Sequence, residues 1–200
     1  MLLVRETWLV YTYSNKQVSE YDNISQLNDN TSSSNVYFDI LTLPIIDKYF
    51  KDNTVLSTIF KNYLHQGASG IVLHDGENWM SYGMISMPGC KQPPQLPYSV
   101  KKLNCCWIFY CHTNNKYRGR GLYKKLLKHI DEYIHDMFGE HCPDIFIDTQ
   151  VDNIPARRAI LSSGFRPVGI FYVLYLWIPK IIKYPFYGIW RNEQAHNIIE

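Results

Sequence analysis

A continuous apolar run that ends near two closely spaced glycines, and then gives way to helical periodicity, leaves a chain few choices of fold. Cys105–Thr113 (CCWIFYCHT) has strand length and no polar alternation, so it reads as a strand covered on both faces. Arg118-Gly119-Arg120-Gly121 follows. From there Leu122, Leu126, Ile130, Tyr133, Ile134 and Met137 fall on one helical face, with Lys124, Lys125, Lys128, Asp131, Glu132 and His135 opposite. Gly139 ends this helix, Pro143 follows it, and Asp144–Val151 (DIFIDTQV) is a second buried-type strand. A strand, a helix and a strand in this order form a crossover unit at the centre of the chain.

The flanking segments extend that unit on both sides. Residues 2–13 alternate enough to be a first strand, and Ser14 to Asn35, rich in Ser, Asn and Asp, reads as a long mobile loop. Leu41 to Leu64 carries apolar residues at helical spacing with a break at Asp52 or Asn53, which predicts two short helices. Ser69–His74 and Trp79–Met87 flank the turn Asp75-Gly76-Glu77-Asn78 and predict a hairpin. Pro88 to Asn104 holds four prolines and reads as a loop. Asn153 caps a helix with Pro155 in its first turn, Gly164-Phe165 ends it, and Val168–Ile178 is a long last strand, with Tyr184–Trp190 a candidate for one more. The expected architecture is a single α/β domain over residues 1–200, a mixed sheet with flanking helices and no internal repeat.

Composition narrows the partners. The chain is 46% hydrophobic, enough for one core, and its net charge of +2 implies no polyanion partner for the molecule as a whole. Yet no Asp or Glu occurs from Asn78 to Ile130, where Lys91, Lys101, Lys102, Lys116, Arg118, Arg120, Lys124, Lys125 and Lys128 all lie, so the middle third suits a compact anion. The five cysteines make no C-x-x-C pair, and Cys105 and Cys106 are adjacent, which fits a reducing, cytoplasmic compartment better than a disulfide framework. Cys111-His112 and His141-Cys142 match no zinc template, and no metal is expected. Met1–Tyr13 lacks the order of a signal peptide, and the run Val168–Pro179 is too short to span a bilayer, so no membrane partner is expected.

A glycine-rich turn between a strand and a helix is a place to hold phosphate, because the glycines let backbone N–H groups converge and the helix dipole favours negative charge. Arginines add charge-assisted hydrogen bonds. The turn is no Walker loop, since no Gly-Lys-Ser/Thr follows, and it lacks the third glycine of a dinucleotide fingerprint. By itself it reads equally well as a tight turn before a wet basic helix.

The chain resembles the Gcn5-related N-acetyltransferase (GNAT) superfamily at two separate places. The family's first signature is Gln or Arg, two residues, Gly, one residue, then Gly or Ala, set between its fourth strand and the next helix; Arg118 to Tyr123 follows that spacing. The second is an Asn after a strand, a short helix and a Gly-Phe, which Asn153 to Phe165 reproduces. The likeness covers Ser69 to Val173. It implies a central, mostly antiparallel twisted sheet in which the family's fourth and fifth strands form a splayed parallel pair. It also implies acetyl-CoA as cosubstrate and direct acetyl transfer to an amine. The backbone of Arg118, Gly119, Arg120, Gly121, Leu122 and Tyr123 would hold the pyrophosphate, Cys111, His112 and Thr113 would pair with the pantetheine arm, and Asn153 would contact it. Arg157 and Arg158 are further candidates for the nucleotide phosphates.

Two positions depart from the family pattern. Tyr123 stands where a small residue is usual, which is tolerable if its side chain leaves the loop. Ile160 stands where many members carry a Tyr that protonates the departing thiolate; Tyr172, Tyr175, His112 and Cys111 are the substitutes considered. For the base, Asp148 is preferred and His112 is second. The acceptor groove is expected among Tyr11, Tyr13, Tyr21, Tyr37, Tyr49, Tyr172, Tyr175, Trp177, Tyr184, Tyr187 and Trp190, whose rings suit an amino sugar, including a nucleotide-linked one. A peptide or protein amine is the alternative, and a non-catalytic acyl-CoA sensor is another. A small-molecule amine and a second copy of the chain are the partners considered. Nucleic acid is disfavoured because Asp131, Glu132 and Asp136 follow the basic residues on the same helix.

Overall fold

The computed structural model describes residues 2–13, 35–93, 96, 103–177 and 184–191, with side chains from 6–13, 35–93, 96 and 103–173. Three expectations lie wholly or partly outside these residues: the loop 14–34, most of the proline-rich segment after Pro93, and the end of the last strand at Ile178.

The apolar runs become strands of one sheet. In chain order they are β1 (Leu2–Tyr13), β2 (Tyr37–Ile40), β3 (Ser69–His74), β4 (Trp79–Ser86), β5 (Cys105–Thr113), β6 (Asp144–Gln150), β7 (Arg166–Trp177) and β8 (Tyr184–Arg191). Their spatial order is β2-β3-β4-β5-β6-β1-β7-β8. Every neighbouring pair is antiparallel except β5 and β6, which are parallel because a helix crosses between them. The strand β2 was not foreseen. It has four residues, three of them exposed, and gains its conformation by pairing with β3.

The helices are α1 (Leu43–Phe50), α2 (Thr54–His65), α3 (Leu122–Phe138) and α4 (Ile154–Ser162). The break between α1 and α2 falls where Asn53 caps α2, its side chain accepting from the Leu56 N–H at 3.0 Å. Against one face of the sheet, α1 and α2 enclose Ile46, Phe50, Phe60, Met84 and Trp107. Against the other, α3 and α4 enclose Leu126, Ile130, Ile134, Ile147 and Ile160. The buried stripe of α3 differs from its sequence reading at two positions. Leu127 is fully buried and Met137 is 48% exposed. Because α3 packs against α4 as well as the sheet, its apolar stripe is wider than the sheet alone would need.

No helix among the described residues is long and apolar enough to cross a membrane.

Candidate active site

The parallel pairing of β5 and β6 runs only from Cys105–Asp144 to Ile108–Ile147. Beyond that rung the strands part. β5 continues to Thr113 paired with β4 alone, so the β6-facing main chain from Phe109 to Thr113 has no strand partner. A bulge accompanies the parting: Tyr82 and Met84, two residues apart, oppose His112 and Phe109, three apart. Tyr110 takes the extra place with φ of 51°, and its ring, 40% exposed, turns toward Tyr63 and Tyr82. The result is a fork whose apex lies at Ile108 and Ile147.

The mouth of the fork holds the glycine turn. Asn114 caps a short 3-10 turn, Asn115–Tyr117, that leads into Arg118. Gly119 and Gly121 adopt φ of 76° and 69°, a region L side chains rarely enter, and added Cβ atoms would meet nothing within 4 Å. The glycines therefore serve backbone conformation, not crowding, and the space over the loop is open. Gly121 caps α3 with no side-chain hydrogen bond, and no acidic residue lies in the first turn, so the leading N–H groups are available to an anion. Arg118 donates through Nε to the Thr113 carbonyl at 3.3 Å, which ties the loop to the strand end. Beneath it the hydroxyl of Tyr117 donates to Asp75 Oδ2 at 2.8 Å, linking the loop to the β3–β4 turn. The carboxyl of Asp75 is held down to about 2, chiefly by the backbone N–H of Asn78. Arg120 and Lys116 both lie over the Tyr117 ring.

Asp148 is one residue past the last paired rung, at the apex. Its side chain shares the α1/α2 face with Trp107, whose indole N–H donates to Oδ1. Desolvation lifts the carboxyl to about 7, and the Trp107 hydrogen bond opposes the rise. A carboxyl placed so can exchange a proton near neutral pH. His112 lies on the same face at the mouth, beside Trp79 and Tyr82, with its pKa lowered by desolvation and then by the charge of Arg118. Cys111 points to the α3 face, where burial pushes its thiol up to about 12, with the nearby Tyr123 hydroxyl opposing the rise. Thr113 exchanges a 3.0 Å hydrogen bond with Ser81.

The carboxamide oxygen of Asn153 is committed to the α4 cap, accepting from the Ala156 N–H at 3.3 Å. Its side-chain nitrogen is free to donate. The main chain of Cys111, His112 and Thr113, the Arg118–Gly121 turn and Asp148 thus stand around the fork, and Asn153 follows the end of β6.

Other expected residues lie elsewhere. Tyr172 is on β7, two strands from β6, at the level of Thr7, whose carbonyl accepts from the Val151 N–H, so it is not at the apex. Ile160 is fully buried in the α3/α4 core, in the cluster that also holds Ile108 and Ile147. Arg157 turns inward, donating to the Val151 carbonyl at 2.9 Å beside Tyr11, and does not extend toward phosphates. Of the aromatics assigned to an acceptor groove, Tyr11 and Tyr49 are core, Tyr13 packs on Phe165, and Tyr37 stacks on His74 at the sheet edge. Tyr21 and the side chains of Tyr175, Trp177, Tyr184, Tyr187 and Trp190 lie outside the described residues. The aromatic wall that does stand on the Asp148 face comes from α2, β4 and β5: Tyr63, Trp79, Tyr82, Phe109, Tyr110 and His112. Tyr123 turns inward from α3 and packs against the core. Trp107 and Tyr117 were missed, because their partners are 41 and 42 residues away in sequence.

Comparison with known proteins agrees with this geometry. Residues 38–165 match the family model described as the acetyltransferase (GNAT) family. Among solved structures, a GNAT-family acetyltransferase from Colwellia psychrerythraea superposes with a TM-score of 0.51 at 12% identity, covering 87% of this chain and 56% of that one. A conserved protein of unknown function from Staphylococcus epidermidis gives 0.54 at 14%, covering 85% and 61%. A GCN5-related N-acetyltransferase-like protein from Streptococcus suis gives 0.53 at 14%, covering 88% and 63%. The chain therefore spans less than two thirds of the length of these structures. At such identities they show a shared fold. A search of curated proteins found no significant match.

Proposed function

This chain belongs to the GNAT acetyltransferase family, and from that membership we propose that it transfers an acetyl group from acetyl-CoA directly to a primary amine. The observation that carries the proposal is the fork: an unpaired β5 edge with the glycine turn at its mouth and Asp148 at its apex. The residues present fit the cosubstrate. An anion fits the open, uncapped loop of Arg118 to Tyr123, and an extended amide-bearing arm fits the unpaired main chain of Phe109 to Thr113. The side-chain nitrogen of Asn153 supplies a donor just past the end of β6, on the mouth side of the fork.

When bound, acetyl-CoA supplies the activated acyl group. The chain's own residues orient it and move protons. The free main-chain N–H groups near the bulge orient and polarise the acyl carbonyl. Asp148 accepts the proton of the attacking amine, with His112 the second candidate nearer the mouth. Asp148 is favoured because it lies at the apex and its carboxyl titrates near neutrality. Direct transfer, with no acyl-enzyme, is supported by Cys111, whose thiol stays protonated and is therefore a poor nucleophile.

The acceptor we favour is an amino sugar, free or nucleotide-linked, acting in the reducing interior of the cell. The support is the aromatic wall on the Asp148 face, where Tyr63, Tyr82, Tyr110 and His112 combine flat rings with polar tips. A panel of amino sugars, sugar nucleotides and short peptides, followed by the thiol released from acetyl-CoA, tests it. Faster release with amino sugars is the expected result. Release with peptides alone sinks the sugar assignment and leaves the acetyltransferase assignment standing. Binding of acetyl-CoA with no release for any amine favours a sensor.

A further inference from the structure

The two faces of β6 are covered unevenly. On the α3/α4 face Ile145, Ile147 and Thr149 are buried, whereas Phe146, Asp148 and Gln150 on the other are only half-buried or exposed less than a free surface would be. Alternation along a strand puts these three in one row, with Asp148 at the apex of the fork and Gln150 nearer its mouth, roughly 7 Å along the strand. Phe146 stacks on Trp107, and Asp148 takes the Trp107 N–H. Gln150 is different. Among the described residues no hydrogen bond engages its side chain. Its main chain is fixed, because the carbonyl accepts from the Asn153 N–H at 3.1 Å and the next residue, Val151, donates to the Thr7 carbonyl at 3.1 Å. A rigid backbone thus carries a carboxamide whose donor and acceptor are both unspent.

Trp8 of β1 stands directly opposite Gln150, and Val10 stands opposite Asp148. Opposed residues share a face, and the diagonal from Trp8 to Asp148 is within reach of an aromatic ring. Phe171 of β7 holds the indole from its other side, with ring centroids 6.0 Å apart and planes within 4° of parallel. The indole N–H has no acceptor among the described residues, so the Gln150 oxygen is not spent on it. Asp148, Gln150 and Trp8 therefore form a second wall on β6 and β1, across the fork from Tyr82, Tyr110 and His112 on β4 and β5.

We propose that Gln150 is a specificity-determining residue for the acceptor: its carboxamide hydrogen-bonds a hydroxyl of the substrate and so holds the amine at Asp148, with the Trp8 ring beside it as an apolar floor. The proposal rests on the acetyl-transfer reading above and narrows it, since the substrate must carry a neutral hydroxyl on the same small ring as the amine. A carboxamide bears no charge, so it forms no ion pair with a carboxylate or an ammonium, but it can donate to and accept from a hydroxyl. A polar group reserved for a hydroxyl discriminates against the analogue lacking it, because that analogue leaves the group unpaired in the closed complex.

The test compares wild type, Gln150→Leu, which keeps the size and loses the hydrogen bonds, and Gln150→Ala. The substrates are the best amino sugar of the panel, its monodeoxy analogues and cyclohexylamine, a ring amine with no hydroxyl. Wild type should favour the amino sugar over cyclohexylamine by ~10²-fold in kcat/KM, and one monodeoxy analogue should lose most of that preference. Either variant should lower kcat/KM for the amino sugar ~10-fold or more, chiefly through KM, and leave cyclohexylamine unchanged. In the variants that monodeoxy analogue should react as well as its parent. Affinity for acetyl-CoA in calorimetry and the pH dependence of the rate should stay as in wild type. Both variants should melt as wild type does, since the Gln150 side chain has no partner to lose among the described residues. Equal losses for the sugar and cyclohexylamine would mean that Gln150 only shapes the strand, and unchanged kinetics with every amine would place it outside the acceptor site. Either result overturns the proposal, as does a panel in which peptides alone react. If wild type binds acetyl-CoA but releases no thiol for any amine, the transfer reading itself has failed and the proposal falls with it, an outcome recognisable before any variant is made.

Discussion

The indole N–H of Trp107 donates a hydrogen bond to Oδ1 of Asp148 at the point where β5 and β6 part. The bond fixes a carboxyl at the apex of the cleft and restrains a pKa that desolvation has raised to about 7. It also makes one acid responsible for two measurable pH dependences.

Asp148→Asn should lower kcat ~10²-fold or more and remove the rise of rate with pH centred near 7. Stability should move the other way. The folded carboxyl titrates at about 7 and the unfolded one at 3.8, so the folded state binds more protons in between, and wild type loses stability as pH rises through that window. Urea unfolding above pH ~7 should find the Asn variant more stable by up to a few kcal/mol, with the gap closing toward pH ~4. An unchanged rate profile removes Asp148 from catalysis.

Trp107→Phe deletes the opposing hydrogen bond. The Asp148 pKa should rise further, so the acidic limb of the rate profile moves to higher pH while the rate at its plateau changes less. The smaller ring should also cost roughly 1–3 kcal/mol, because Trp107 is fully buried. A limb that stays put would show that the indole only fills space.

Gly121→Ala tests the loop. Its Cβ meets no atom within 4 Å, so the expected penalty of ~1–2 kcal/mol comes from φ of 69° alone. Gly121→Asn, which tolerates that region better, should recover most of the stability. Gly121→Glu should keep a native circular dichroism spectrum and abolish acetyl-CoA binding in calorimetry. Retained binding would assign the loop another task.

Tyr117→Phe cuts the link from the loop to Asp75. Loss of that hydrogen bond should cost about 1 kcal/mol and raise the KM for acetyl-CoA, since the loop is no longer moored to the β3–β4 turn. Asp75 is depressed to about 2 in the folded protein, so its stabilising contribution is present above 3.8 and lost as pH falls toward 2. In the variant the folded pKa lies nearer 3.8, so that acid loss should be smaller and end at higher pH, a difference readable by urea unfolding across the acid range.

Ile160→Tyr puts a hydroxyl into a fully buried position of the α3/α4 core, in the cluster that holds Ile108 and Ile147. Overpacking should cost ~1–3 kcal/mol and leave kcat no higher than in wild type. A rise in kcat would show that a hydroxyl at position 160 serves the fork as a proton donor.

The elements were legible because they follow from local rules. Helical spacing located α3, Asn53 and Asn153 marked two helix starts, and Asp75-Gly76-Glu77-Asn78 marked the hairpin, with Asp75 Oδ1 accepting from the Glu77 and Asn78 N–H groups. The exceptions have a common cause. β2 exists by virtue of β3, Leu127 is buried within packed surroundings, and the aromatic wall forms where a bulge at Tyr110 redirects one ring. None of these is encoded within a turn or two of the residue concerned.

What the sequence by itself determined was the order of elements and the glycine turn between β5 and α3, since periodicity, caps and positive-φ glycines act over a few residues. Tertiary structure decided which side chains meet at the fork. Pairing of β5 and β6 stops at Ile108 and Ile147, and that register places Trp107 on Asp148. The β1–β7 register sets Tyr172 level with Thr7, two strands from β6. A side chain's pKa and its partner depend on what surrounds it in space, and residues far apart in the chain supply those surroundings only once the sheet has closed.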